Sequence, residues 1–174
     1  MTLRRHLPLA LALTVGMTAC WAASLPPAVA EELVALPMDD AGHLGTVISS
    51  DPSSKTAGEA SIRISTAWPT LVNLAELPVS GIEAATLVYE ADLRSDSLEG
   101  NAYLEMWCLF PDGGQYFSRG LDSVVGGTAD WRTLRTSFFL EEGQRPEKLT
   151  LNVVINGRGT VWIDNLRVRK EPLP

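Results

Sequence analysis

The stretch that decides the fold is residues 157–170, GRGTVWIDNLRVRK, near the end of the chain. It starts with two glycines and continues as an apolar strand that carries Asp164 and Asn165 side by side in its middle. Asn156 extends the glycine segment to NGRG, which is typical of a tight turn, so we predict a hairpin between residues 147–155 and the final strand. Because a buried carboxylate is costly when it has no partner, Asp164 must find one in the folded protein.

The chain before this stretch also has the period of β-strands. Apolar and polar residues alternate in residues 60–66, 85–95 and 101–110, which predicts that one face of each strand points into a core. Residues 130–140 form a further strand, and the turn PDGGQ at 111–115 combines a proline with two glycines. No segment has a sustained helical period. The pattern predicts an all-β protein built as an antiparallel sandwich or barrel.

The first 20 residues have the features of an export leader. Two arginines precede a short apolar run, which is too short for a permanent membrane helix. The run ends in small residues before Cys20, which resembles a bacterial lipoprotein box and predicts lipidation of Cys20. The alternative is cleavage after Ala30, because residues 28–30 form the A-x-A pattern of an ordinary signal peptidase site.

Three segments follow from this interpretation. Residues 1–20 are the predicted signal peptide, residues 21–32 a short acidic tether, and residues 33–174 a single β-sandwich domain. We expect an exported protein, held in the bacterial cell envelope by its lipid or released into the periplasm or medium.

Charge and cysteine content exclude several classes of function. The chain has 14 basic and 21 acidic residues; residues 1–20 hold two arginines and no acid, so the mature part has a net charge of −9. This balance argues against binding of nucleic acid or of an anionic membrane surface, so we expect membrane contact only through a lipid anchor. Cys108 is the only cysteine outside the leader, which excludes a disulfide scaffold within the mature chain.

The sequence offers no converging set of catalytic groups. His43 is the only histidine outside the leader, and the chain has no HExxH, CxxC or phosphate-binding glycine loop. The segment SRGLD at 118–122 lacks the G-x-S-x-G pattern of a nucleophile elbow. We therefore expect no enzyme.

Two stretches resemble a known family. Residues 130–168, DWRTLRTSFFLEEGQRPEKLTLNVVINGRGTVWIDNLRV, are similar to the closing half of galactose-binding-like jelly rolls, which include the family 4, 9 and 22 carbohydrate-binding modules. Residues 51–64, DPSSKTAGEASIRI, resemble the S-x-x-G stretch near the start of these domains. The resemblance implies a two-sheet antiparallel β-sandwich of the jelly-roll type.

The resemblance also implies a structural calcium ion. Asp164 matches the acid that holds calcium in many such domains, with backbone carbonyls of Ser53, Ser54 and Lys55 as further ligands. The second carboxylate usual in the family is not recognisable here. The alternative is that Asp164 accepts hydrogen bonds from backbone amides without a metal.

A sugar site is the functional hypothesis that the residue types favour. Sugar recognition combines an aromatic platform with planar polar groups that bond to hydroxyls. The predicted ligand-binding residues are Tyr103, Glu105 and Trp107 on one strand face, with Glu90, Arg135 and Asn152 from neighbouring strands. We expect an exported, non-catalytic binding module for a poly- or oligosaccharide.

The alternative is a structural or protein-interaction domain of the cell envelope. In that case Tyr103 and Trp107 cap the core or cover a sheet edge, as most large aromatic residues do. Three further tryptophans, Trp68, Trp131 and Trp162, are expected in the core.

Overall fold

The computed structural model describes residues 29–42 and 47–174. The predicted leader with Cys20, most of the predicted tether, and His43 lie outside these residues. Eight strands make up the described part: β1 Glu31–Leu36, β2 Ile48–Asp51, β3 Ser61–Thr66, β4 Thr70–Pro78, β5 Ala85–Leu109, β6 Gln115–Arg119, β7 Val125–Leu140 and β8 Lys148–Pro172. None of the described residues forms a helix that could cross a membrane. The first strand begins at Glu31, before the predicted domain boundary at Leu33.

The two longest strands organise the molecule. β5 and β8 pair antiparallel over almost their whole length, from Ala85 opposite Pro172 to Leu109 opposite Lys148. All eight strands are hydrogen-bonded into one continuous antiparallel arrangement. The first part of β5 and the last part of β8, flanked by β1, β2, β3 and β7, form what we call layer A. The other halves, residues 101–109 and 148–156 with β4 and β6, form layer B.

The stretch NGRG does not form the predicted hairpin. It lies inside β8, where Asn156, Gly157 and Arg158 face Asn101, Gly100 and Glu99 of β5. A Cβ atom on Gly157 would overlap the carbonyl oxygen of Glu99, and one on Gly100 would overlap that of Asn156. The glycines therefore serve the close approach of two backbones where both strands pass from layer A to layer B.

The faces of the two layers that carry alternating apolar residues meet in one core. Leu87, Tyr89, Ala91 and Leu93 of layer A are fully buried, and so are Leu104, Met106 and Cys108 of layer B. Burial raises the pKa of the free Cys108 thiol to about 12. Together with the strand order, this arrangement confirms the all-β, two-layered jelly-roll sandwich predicted from the sequence.

The three tryptophans expected in the core differ in their positions. Trp162 is buried, and its indole Nε1 donates a hydrogen bond to Asp51 over 2.8 Å. Trp131 is half-buried. The expectation was wrong for Trp68, which is 76% exposed, because the turn between β3 and β4 holds it outside both layers.

Candidate functional site

The outer face of layer B carries the predicted aromatic strand. Tyr103, Glu105 and Trp107 alternate with the core residues of β5, so all three point away from the core. In strand register, Glu105 lies between Asn152 of β8 and Arg119 of β6, and Trp107 lies beside Phe117 of β6. This register brings groups from three strands together around one carboxylate.

Glu105 is buried on this outer face, with only 1% of its surface exposed. Its carboxylate accepts hydrogen bonds from Arg119 Nε at 2.6 Å, Trp107 Nε1 at 2.8 Å and Asn152 Nδ2 at 3.2 Å. Burial acts to raise the pKa of Glu105, but these donors outweigh it and hold the pKa below its ordinary value. Three partners thus make a buried charge tolerable.

The aromatic side chains form the wall beside this carboxylate. The rings of Trp107 and Phe117 have centroids 4.9 Å apart and are tilted by 44°. The guanidinium group of Arg119 lies 4.5 Å from the centre of the Phe117 ring. Trp107 is half-buried and Phe117 is 47% exposed, so both rings keep accessible surface. Because Glu105 binds both Trp107 and Arg119, it fixes the orientation of this wall.

An open groove of about 440 Å³ runs beside Trp107 on the same face. Its planar polar groups are Asn73, Asn152 and Gln115, and the ion pair between Lys148 and Glu76, at 3.2 Å, lies within it. The remaining lining residues are Leu71, Leu109 and Thr150. Tyr103 is half-buried and does not line the groove. Glu105 does not line the groove either, but it accepts hydrogen bonds from two residues that do, Trp107 and Asn152.

Two of the predicted ligand-binding residues lie elsewhere. Glu90 and Arg135 are directly opposite each other in strand register on layer A, and Glu90 accepts a hydrogen bond from Arg169 at 2.9 Å. The strands that carry Glu90 and Arg135 have the same apolar–polar alternation as the strand with Trp107. However, β5 passes from layer A to layer B between Glu90 and Glu105. The structure therefore joins Glu105, Trp107 and Asn152 in one cluster and leaves Glu90 and Arg135 outside it.

Sequence reasoning missed Phe117, Arg119 and Asn73, which complete this surface. A signal for the first two was present, because the PDGGQ turn closes with a hydrogen bond from Phe110 N to Gly114 O. Counting strand residues outward from that turn places Trp107 opposite Phe117 and Glu105 opposite Arg119. Asn73 has no such signal, because β4 pairs with β8, a partner far along the chain.

The second buried carboxylate, Asp164, lies in layer A and is held mainly by backbone amides. Its Oδ2 accepts hydrogen bonds from Thr56 N at 2.5 Å, Ala57 N at 2.9 Å and Thr56 Oγ1 at 3.0 Å. Its Oδ1 accepts one from Asn165 N at 2.7 Å. Asp164 thereby ties the loop between β2 and β3 to the last strand, and it finds the partners that its burial demands.

Asn165 explains why two polar residues stand together in this strand. It adopts a φ of +52°, a left-handed conformation that Asn tolerates better than most residues, at a bulge between β8 and β5. Its Nδ2 donates to Asp92 Oδ2 at 3.0 Å. Burial acts to raise the pKa of Asp92, but hydrogen bonds from Thr133, Asn165 and Thr56 lower it overall.

The donors at Asp164 do not fit a calcium ligand set. Calcium takes oxygen ligands, whereas N–H and O–H groups point at both carboxylate oxygens here. Of the carbonyls expected to help, that of Ser54 accepts the Ser61 hydroxyl at 2.5 Å. No group of three or more His, Cys, Asp or Glu suited to a metal occurs within residues 29–42 and 47–174. Calcium binding stays a prediction that chelation can test.

Comparisons with known proteins identify proteins of similar fold, at low sequence identity. No family model matches the sequence, and no curated protein matches it. The CBM22-1 xylan-binding domain of Paenibacillus barcinonensis Xyn10C is similar in structure, with a TM-score of 0.53 and 10% identity over 87% of this chain and 100% of that one. A family 16 carbohydrate-binding module has a TM-score of 0.51 and 12% identity over 71% of this chain and 86% of its own. A cyclase from Fischerella sp. TAU has a TM-score of 0.53 and 11% identity, with coverages of 76% and 74%.

Proposed function

We propose that this chain is an exported, non-catalytic carbohydrate-binding module whose ligand lies in the groove beside Trp107 on layer B. The observation that carries the proposal is the groove itself, which combines the accessible ring of Trp107, held in place by Glu105, with three planar amides. Two of the structurally similar proteins are carbohydrate-binding modules, one of them named for xylan. This likeness of fold supports the choice of ligand class without identifying a particular sugar.

Each group in the groove has a role suited to a sugar chain. Trp107 presents ring surface to the apolar C–H faces of pyranose rings, and Phe117, which lies outside the groove, packs against that ring. Asn73, Asn152 and Gln115 offer amide donors and acceptors to hydroxyl groups. Glu105 acts as a positioning residue, because its oxygens hold Trp107, Arg119 and Asn152. Because Lys148 and Glu76 neutralise each other, the groove suits an uncharged polysaccharide such as xylan.

Affinity electrophoresis in gels that contain soluble xylan, β-glucan or galactan tests this proposal. Trp107→Ala should lose the retardation that the wild type shows in at least one gel. Trp68→Ala is the matched control, because Trp68 is an exposed tryptophan that does not line the groove. Retardation that survives in Trp107→Ala, or that is equally lost in Trp68→Ala, contradicts the proposed site.

The alternative function is a structural or protein-interaction domain of the envelope. It requires that Trp107 serve packing alone, so Trp107→Ala should then cost about 3–5 kcal/mol of stability, as for a core aromatic residue. Under the sugar proposal the cost is about 1 kcal/mol, because the side chain is half-buried on an outer face. A large loss in chemical denaturation, with no glycan retained by the wild type, favours the alternative.

The export part of the proposal rests on the leader sequence. Lipidation of Cys20 would hold the domain at a membrane surface through the tether. Expression of the full chain in a bacterial host tests this, since Cys20→Ala should move the protein from the membrane fraction to the soluble fraction. A mature N-terminus at Glu31 would instead identify cleavage after Ala30 and reject the lipid anchor.

A further inference from the structure

A second cavity lies at one end of the sandwich and shares no lining residue with the groove of layer B, although both adjoin the β5–β6 turn. It has a volume of about 400 Å³ and lies between the β5–β6 turn and the β7–β8 turn. Four aromatic residues line it, Phe110, Tyr116, Phe138 and Phe139, together with Glu141 and with Asp112, whose Oδ1 accepts a hydrogen bond from Gly114 N at 2.9 Å. The rings of Phe110 and Tyr116 have centroids 5.8 Å apart and stand nearly perpendicular, at 77°. They form two adjoining walls of an aromatic cage.

The turns that carry this cage are held in place by backbone hydrogen bonds. Phe110 N donates to Gly114 O, and Gly113 N donates to Phe110 O, both at 2.9 Å. Glu147 N donates to Leu109 O at 2.8 Å, which ties the β7–β8 turn to the end of β5. The backbone of both turns is therefore fixed before any ligand binds, and the rings of Tyr116 and Phe139 keep 61% and 57% of their surface exposed. A preformed cavity loses little conformational freedom when it is filled.

The charges of the cage are of one sign. No Lys, Arg or His is among its lining residues in the described part of the chain. Asp112 and Glu141 form no ion pair with a described residue, and the nearby Arg145 is bound to Glu83. The whole chain has a net charge of −7. Aromatic ring faces carry partial negative charge, so rings and carboxylates act in the same direction and favour a cation.

We propose that this cage binds a small organic cation of the trimethylammonium class, such as the head group of choline. The four rings provide the apolar and cation–π surface that a methylated ammonium group requires. Asp112 and Glu141 supply the opposing charge at the rim. An uncharged ligand would use the rings and at most donate hydroxyl hydrogen bonds to the carboxylates, whereas a cation also gains their charge, so charge is the property that the cage favours. The inference is independent of the glycan groove.

Calorimetric titration of the full domain with choline and with 3,3-dimethylbutan-1-ol tests the proposal. The two molecules have the same shape, but the alcohol carries no charge. Choline should bind with a Kd in the millimolar range, and the alcohol should bind about tenfold more weakly or not at all. Equal binding of the two molecules, absence of choline binding, or displacement of choline by a neutral oligosaccharide would overturn the proposal.

Three variants locate the binding. Tyr116→Ala should weaken choline binding about fivefold, and because Tyr116 is largely exposed its thermal melt should change little. Glu141→Gln should weaken binding about threefold, the effect of one exposed charge pair. Glu142→Gln is the matched control, because it removes the same charge from the neighbouring residue, which does not line the cage. If Glu142→Gln weakens binding as much as Glu141→Gln, the overall charge explains binding and the cage does not.

Discussion

The two layers each bury a carboxylate on the side away from the main core, and they satisfy it in different ways. In layer A, Asp164 receives three backbone N–H groups and one hydroxyl. In layer B, Glu105 receives three side-chain donors, and one of them belongs to the partly exposed Arg119. Backbone donors move only when the chain itself moves, whereas side-chain donors can turn away on their own. We infer that Asp164 maintains the fold, and that Glu105 orients groups for binding.

The largest effect expected from this comparison is that of Asp164→Asn. The amide group keeps one acceptor but points an NH₂ group at backbone N–H groups of Thr56 or Asn165. Because Asp164 is fully buried, the NH₂ group and the donors that face it lose their hydrogen bonds, so the free energy of unfolding should fall by about 3 kcal/mol. Urea denaturation measures this loss, and a loss below about 1 kcal/mol would contradict the role of Asp164 in the fold.

Thermal melts of the wild type and of Asp164→Asn distinguish hydrogen bonding from calcium binding at Asp164. A bound ion stabilises the native state by mass action, so a chelator would lower the melting temperature and added calcium would restore it. From the observed donors we expect the wild-type melt to be unchanged in both conditions. A melting temperature that rises with calcium in the wild type but not in Asp164→Asn would support the calcium site predicted from the family resemblance.

A smaller loss of stability is expected for Glu105→Gln. Gln keeps an acceptor for Trp107 or Asn152, and Arg119 can turn into solvent, so the cost should be about 1–2 kcal/mol. Glycan affinity should nevertheless fall about tenfold, because the single oxygen of Gln cannot hold Trp107, Asn152 and Arg119 together and the indole ring is fixed less firmly. The comparison between the layers fails if Glu105→Gln destabilises the protein as much as Asp164→Asn.

The smallest expected effect is the pH dependence of the stability that Glu105 contributes. The pKa of Glu105 lies below its ordinary value of 4.5, since Arg119 and two further donors outweigh the effect of burial. Its contribution to stability is therefore complete above about pH 4.5 and is lost as the pH falls through the lowered pKa of the folded state. The stability difference between the wild type and Glu105→Gln should stay constant at neutral pH and shrink in acid. If the stability difference grows below pH 4.5 instead, the pKa of Glu105 is not lowered in the folded state, and this prediction is contradicted.

Much of the fold could be predicted because its strands have a strict period. The alternation in residues 85–95 and 101–110 correctly placed Leu87, Tyr89, Met106 and Cys108 in the core. The layer change could not be predicted, because NGRG has the composition of a hairpin turn and only the opposing Gly100 shows that it serves close backbone contact. This contact joins residues far apart in the chain.

The candidate site could be predicted along one strand but not across strands. Period-two alternation put Tyr103, Glu105 and Trp107 on one outer face, as the structure has them. Alternation does not reveal which layer a strand belongs to, so Glu90 and Arg135 were grouped with them from a different layer. The burial of Glu105 itself could not be predicted from alternation, because it depends on Arg119 and Asn152, which come from two other strands.

The most direct test of the sugar-binding proposal is an NMR titration that follows the indole N–H signals during addition of a soluble xylo-oligosaccharide or β-gluco-oligosaccharide. The Trp107 signal, assigned by its absence in Trp107→Ala, reports on the ring that lies in the groove and donates to Glu105. We predict that this signal shifts progressively and saturates, while the signals of exposed Trp68 and buried Trp162 stay in place. An unshifted Trp107 signal at saturating amounts of each oligosaccharide, or equal shifts of the Trp68, Trp107 and Trp162 signals, would contradict a glycan site on layer B.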